Sequence, residues 1–278
     1  MYSINCKGKL LVIEEPLVMG ILNATPDSFY EGHLQQGEKG WLAMAEKMIT
    51  DGADIIDIGG QSTRPGSQRT SIDEELSRVI PVIETIHQQF PAIVLSIDTY
   101  SSVVAREAVD AGASIVNDIS GGHMDKAMIP LVAKLGCPYI CMHMQGTPET
   151  MQQEAVYDNV VTTVLDFFIA KLDECTKAGI TDVIFDPGFG FGKTIAHNFQ
   201  LLQQLDVFNI TGRPILAGLS RKSTIYKTLG SSASEALNGT TVLNTIALMN
   251  GASLLRVHDV KEAKEASRLY AAYKKSAR

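Results

Sequence analysis

The sequence predicts a (β/α)8 TIM barrel built as a single domain over residues 1–278. Three observations lead there. Short apolar runs recur along the chain, and each ends on a polar residue that a core strand does not need. Amphipathic stretches of helical period separate these runs, as βαβ units require. A glycine repeatedly follows the helical stretch, at Gly52, Gly112, Gly136, Gly179 and Gly251, where a left-handed backbone ends a helix. Runs of this length suit buried parallel strands, and an α/β barrel uses about 250 residues as one domain.

The elements follow in order. Residues 2–15 alternate apolar and polar side chains, which predicts an N-terminal hairpin (1–15) capping the barrel bottom, with the barrel proper over 16–278. The first apolar run, Val18–Leu22, ends at Asn23; Ile55 and Ile56 end at Asp57; Ile93–Ile97 ends at Asp98. Ser114–Val116 ends at Asn117 and Asp118, Tyr139–Met142 at His143, and Val183–Phe185 at Asp186. Ile215–Leu219 ends near Arg221 and Lys222, and Leu254 with Leu255 at Arg256 and His258. Helices are predicted over Trp41–Thr50, from Ser71 with Glu74 in capping-box spacing, from Thr99–Ser101, over Asn159–Lys177 and over Asp259–Lys275. Loops 24–40 and 61–71 are long and rich in Gly, Pro, Ser and Thr. Both leave strand ends at the face where a barrel does its chemistry, so both read as binding loops.

Bulk properties narrow the function. The net charge of -7 argues against a general nucleic-acid or membrane-surface role. No apolar run approaches the roughly 18–20 residues of a membrane span. Leu10–Ile13 is too short for a signal peptide, which leaves a cytoplasmic protein as the expectation. The cysteines Cys6, Cys137, Cys141 and Cys175 form no C-x-x-C pair and read as reduced thiols.

The polar strand ends carry the chemistry. Gly188–Thr194 invites a phosphate-loop reading but has Pro187 where that motif needs its first glycine. A lone Asp at a strand end is usually a cap or turn residue. Asp57, Asp98, Asp118 and Asp186 around one mouth, joined by Asn23 and Asn117, exceed what capping needs. A buried carboxylate accepts two hydrogen bonds side by side, which suits the 2-amino-4-oxo-pyrimidine edge of guanine or a pterin. Arg64, Arg221, Lys222, Arg256 and His258 read together as a phosphate or diphosphate clamp, with Ser220 and Ser223 adding hydroxyls. The six histidines show no zinc spacing. Asn23 could hold Mg²⁺ only with substrate phosphates completing the sphere.

Eight segments then match a family. Met19–Phe29, Asp57–Gly66, Ser96–Thr99, Val116–Ile119, Met142–Gly146, Asp186–Lys193, Ser220–Ser223 and Arg256–Val260 run in order over nearly the whole chain and resemble the dihydropteroate synthase signatures. Two departures stand out: Gln61 where the family commonly has Glu, and Tyr30-Glu31-Gly32-His33 in place of Ser-Asp-Gly-Gly. The resemblance implies condensation of 6-hydroxymethyl-7,8-dihydropterin diphosphate with 4-aminobenzoate in folate biosynthesis, in a homodimeric enzyme inhibited by sulfonamides. It implies that Asp98, Asn117, Asp186 and Lys222 hold the pterin. Asn23, with Mg²⁺, and Arg64, Arg256 and His258 would hold the diphosphate. Phe29, Thr63, Pro65, Phe191 and Ser223 would shape the 4-aminobenzoate site. Asp98, Asp186 and Lys222 would act on the reacting pterin. Two other classes share some of these features: a pterin-binding methyltransferase module, which does not need the basic clamp, and a class I aldolase using Lys222 as a Schiff-base amine.

Overall fold

The computed structural model describes residues 1–25, 38–61, 70–151 and 155–276. Phe29, Thr63, Arg64, Pro65 and the Tyr30–His33 departure lie outside these residues, as does most of both long loops. Strands β1 (Tyr2–Cys6) and β2 (Lys9–Ile13) pair antiparallel, so the predicted N-terminal hairpin is present. Eight parallel strands follow: β3 (Leu17–Asn23), β4 (Ile55–Gly59), β5 (Val94–Asp98), β6 (Ile115–Asp118), β7 (Tyr139–Met142), β8 (Val183–Asp186), β9 (Leu216–Ala217) and β10 (Leu254–Val257). Their order is β8-β7-β6-β5-β4-β3-β10-β9. A parallel bridge between Phe185 and Ile215 brings the two ends of that order together, so the sheet closes.

Helices wrap the strands: α1 (Glu38–Thr50), α2 (Ile72–Gln89), α3 (Ser102–Ala111), α4 (Met128–Leu135), α5 (Val160–Ala178), α6 (Ile195–Gln203), α7 (Ser223–Leu229), α8 (Leu237–Met249) and α9 (Val260–Lys275). Their starts follow local chemistry. Ser71, Ser101 and Asn159 accept N–H bonds at the openings of α2, α3 and α5, each satisfying donors that a helix start leaves over. The five predicted helix-end glycines all take positive φ. Among the described residues no helix is long and apolar enough to cross a membrane.

Strand pleating decides which side chain faces the barrel axis. Met19, Ile55, Val94, Ile115, Ile140, Ile184, Leu216 and Leu254, one from each barrel strand, form a single inner cluster. Ile4, Cys6 and Ile13 of the hairpin join that cluster, so β1 and β2 plug the bottom of the barrel with apolar side chains. The intervening residues, such as Ile56, Leu95, Val116, Cys141, Phe185 and Leu255, pack outward against the helices. Side chains alternate across a strand. Two residues above the apolar floor the inward positions are therefore Ile21, Asp57, Ser96, Asn117, Met142, Asp186, Gly218 and Arg256, five of them polar or charged. The next level of β5 is Asp98.

Candidate active site

Register places these polar residues side by side. Asn23 pairs with Gly59, Gly59 with Asp98, and Asp98 with Asn117. Asp57 is fully buried, and its Oδ2 accepts from Asn117 Nδ2 at 2.9 Å and from Arg256 Nε at 2.6 Å. Arg256 Nη2 donates to Asp98 Oδ2 at 2.5 Å. One guanidinium thus bridges two carboxylates on different strands and orders that wall of the mouth. Burial outweighs the attraction of Arg256, Asp57 adds repulsion, and Asp98 is pushed up to about 7. Asp57 Oδ1 and Ser96 Oγ are buried without a hydrogen-bond partner among the described residues.

Asp186 lies across the mouth. Its Oδ1 accepts from Gly188 N–H at 2.7 Å, which turns the chain directly after β8. Burial raises its pKa, opposed by Lys222 and by that N–H. Lys222 Nζ donates to Phe189 O at 2.5 Å and sits 4.8 Å from the centre of the Phe191 ring. Burial pulls Lys222 down to about 8, against the attraction of Asp186. Gly218, just past β9, has Lys222 Nζ and Asp186 Oδ2 at 3.7 and 3.8 Å from where a Cβ would be. Ser223 follows Lys222 as the first residue of α7. His258 stands exposed at the rim, its Nδ1 3.1 Å from Ser220 Oγ. Tyr100, Ile119 and Met142, with Met124, Met144 and Phe191 against them, form an apolar cluster of their own above the barrel core.

Three of the polar ends turn out to serve the scaffold. Asp118 falls on the outward parity of β6 and accepts from Ser120 N–H, Ser120 Oγ, Gly122 N–H and Tyr139 Oη, so it shapes the β6 loop. Arg221 makes a two-point pair with Asp259 at 2.8 and 2.7 Å and donates to the Ala233 and Ser234 carbonyls. It ties the start of α9 to the loop before α8, which removes it from the expected clamp. His143 is buried, with Nδ1 3.0 Å from Lys193 Nζ. Gln61, where the family commonly has Glu, donates through its amide to the Tyr100 hydroxyl.

Two contributors were not assigned a role by sequence reasoning. Asp57 was one acid among four, yet it anchors both Asn117 and Arg256; its parity two residues after Ile55 was the available signal. Lys193 closes one of the matched segments, but its bonds to His143 Nδ1 and O come from a different strand end and leave no local signal.

His143 supports a test of the site's acid limit. Burial, and then the charge of Lys193, hold its imidazole down to about 3 against 6.5 in an open chain. A lowered folded pKa contributes stability that is present above 6.5 and lost as pH falls toward 3. His143→Asn keeps an acceptor for Lys193 and has no proton to take up. The drop in urea midpoint between about pH 7.5 and about pH 5 should be smaller in this variant than in the unaltered protein. An equal drop in both would show that His143 is protonated in the folded state.

Carboxylates and an amide on one side, with a lysine and an aromatic ring opposite, define a barrel enzyme that grips a flat, hydrogen-bonding heterocycle. The chain belongs to the pterin binding enzyme family, whose model matches residues 19–258. It is 45% identical over 265 residues to the dihydropteroate synthase of Escherichia coli, an alignment covering 95% of this chain and 93% of that one. Its fold matches a Yersinia pestis dihydropteroate synthase in complex with a sulfonamide drug at a TM-score of 0.94 and 41% identity, covering 99% and 100% of the two chains. It also matches the Xanthomonas albilineans enzyme with 4-aminobenzoic acid at a TM-score of 0.91 and 39% identity, covering 98% of each.

Proposed function

We propose that this protein is a dihydropteroate synthase, joining 6-hydroxymethyl-7,8-dihydropterin diphosphate to 4-aminobenzoate with release of diphosphate. One observation carries the reading. Asp98, Asn117, Asp186 and Lys222 meet at one barrel mouth, in a chain that matches curated dihydropteroate synthases over 95% of its length. The assay is diphosphate release from the pterin substrate with and without 4-aminobenzoate. Release that does not depend on the arylamine would point to a hydrolase instead.

In this reading Asp98, Asn117 and Asp186 accept and donate along the pterin edge, and Lys222 faces the ring from the Phe191 side. The C–O bond to the diphosphate breaks with its electrons going to the leaving group. The arylamine nitrogen then attacks the methylene carbon and loses its proton to solvent. The arylamine is already neutral at pH 7, so no strong base is needed. Asp98 and Asp186 stabilise the positive charge that develops on the pterin. His258 and Arg256, with Arg64, bind the departing diphosphate.

Mg²⁺ belongs to the same proposal. Asn23 Oδ1 and Asp98 Oδ2 lie 3.8 and 3.6 Å from where a Cβ on Gly59 would be, so both oxygens face the same bare stretch of β4. Among the described residues no cluster of His, Cys, Asp and Glu could hold a metal alone. A single amide oxygen suits a hard cation whose other ligands are water and substrate phosphate. Asn23 would hold it, and the ion would supply charge neutralisation to the leaving group.

We also propose a cytoplasmic homodimer. Helix α8 carries no charged residue. Its Val242, Ile246 and Met249 lie in one stripe at helical spacing and are 50%, 37% and 60% exposed. A helix apolar on both faces is normally covered on both, and a second copy would cover this one. Ile246→Glu should give a monomer in light scattering after size exclusion; an unchanged mass would place the interface elsewhere.

A further inference from the structure

Lys193 lies buried beneath the loop that carries Phe191, only 3% exposed. An ammonium has three N–H donors, and Lys193 Nζ has three acceptors: His143 Nδ1 at 3.0 Å, His143 O at 3.2 Å and Phe191 O at 3.0 Å. Two come from the end of β7 and one from the loop after β8. The loop rests directly on that strand end. A Cβ on Gly188, at φ 69°, would lie 2.0 Å from His143 O, and one on Gly192, at φ 64°, 2.6 Å from Gln145 O. Only bare backbone can approach this closely. Tyr157 Oη holds the far side through Gly192 O at 2.8 Å. Burial is the largest influence on Lys193 and pulls it down to about 7, while Asp186 favours its charge and Lys222 opposes it through space.

The same loop presents the Phe189 carbonyl and the Phe191 ring, the two groups against which Lys222 rests. We propose that Lys193 is a positioning residue for the arylamine substrate: it ties the Phe191 carbonyl to the end of β7 and so fixes the Phe191 ring at the mouth. This rests on Phe191 lining the 4-aminobenzoate site. Lys193 touches no substrate in this arrangement, since all three of its donors are taken within the protein. Losing it frees the loop to sample other positions, and the cost of ordering Phe191 then falls on the binding of the arylamine.

The test is steady-state kinetics on Lys193→Met, which keeps the length of the side chain and removes every donor. KM for 4-aminobenzoate should rise about tenfold, while the dissociation constant of the pterin, measured alone by calorimetry, changes by less than about twofold. A merely structural role would lower activity without this split. Tyr157→Phe releases the same loop from its far, half-buried side and removes only one hydroxyl, and should raise the same KM in the same direction. Phe191→Ala is the reference. If it raises KM while Lys193→Met and Tyr157→Phe do not, the positioning role is overturned. If pterin affinity falls in step with KM, Lys193 acts through Asp186 and the proposal fails. If Phe191→Ala leaves KM unchanged, the proposal falls with its premise, whereas 4-aminobenzoate-dependent diphosphate release by the unaltered protein keeps the enzyme reading intact.

Discussion

Asp186→Asn should lower pterin affinity on the order of a hundredfold or more, the largest loss expected from any single change of one atom type in the mouth. Each charge-assisted hydrogen bond to a carboxylate contributes about 1.5–3 kcal/mol, and a planar amidine-like edge takes two. The amide keeps the bond from Gly188 N–H to Oδ1, now 2.7 Å, so the turn after β8 survives. What changes is the other oxygen, which becomes a donor facing a donor. Lys222 also loses the neighbour that favours its charge. Calorimetric titration with a pterin measures the effect. An unchanged dissociation constant in a folded variant would remove Asp186 from the pterin site.

Arg256→Ala should destabilise the empty protein by about 3–5 kcal/mol, the range seen when one partner of a buried ion pair is removed. Arg256 is the cation between Asp57 and Asp98, at 2.6 and 2.5 Å. Without it two inward carboxylates face each other in a low-dielectric space. The loss should depend on pH. Asp98 is already raised to about 7 with the guanidinium present, from 3.8 for a free carboxyl. Removing the cation raises it further. A group whose folded pKa lies above its unfolded value contributes stability below the unfolded value and loses it as pH rises through the folded one. The variant should therefore unfold more easily as pH climbs from about 6 to about 8. Urea denaturation at the two ends of that range tests this; a variant as stable as the unaltered protein would mean that water replaces the guanidinium at no cost. Ligand titrations separate the two roles of Arg256. Loss of diphosphate binding beyond the loss of pterin binding marks it as a leaving-group ligand, and equal losses mark it as a counter-ion of the wall.

Local pattern determined a great deal here. Apolar runs too short for helices, glycines at helix ends and the cap at Ser71 mark the elements, because each depends on residues within a turn or two. The order of eight such runs then specifies a barrel, since parallel strands need crossovers and closure leaves no edge. Asn23, Asp98, Asn117 and Asp186 could be named from the chain alone because a strand's last inward residue must be at the mouth.

Tertiary structure decided which polar ends share that mouth. Strand parity turned Asp118 outward to Ser120, Gly122 and Tyr139, one residue beyond inward Asn117. Arg221 and Asp259 lie 38 residues apart and meet because β9 and β10, whose ends they follow, are neighbours in the sheet. Arg256 reaches Asp57 across 199 positions of sequence, and Lys193 reaches His143 across 50. Pairings of that range leave no periodicity in a sequence. They arise when the barrel closes, and burial then makes each buried charge find a partner.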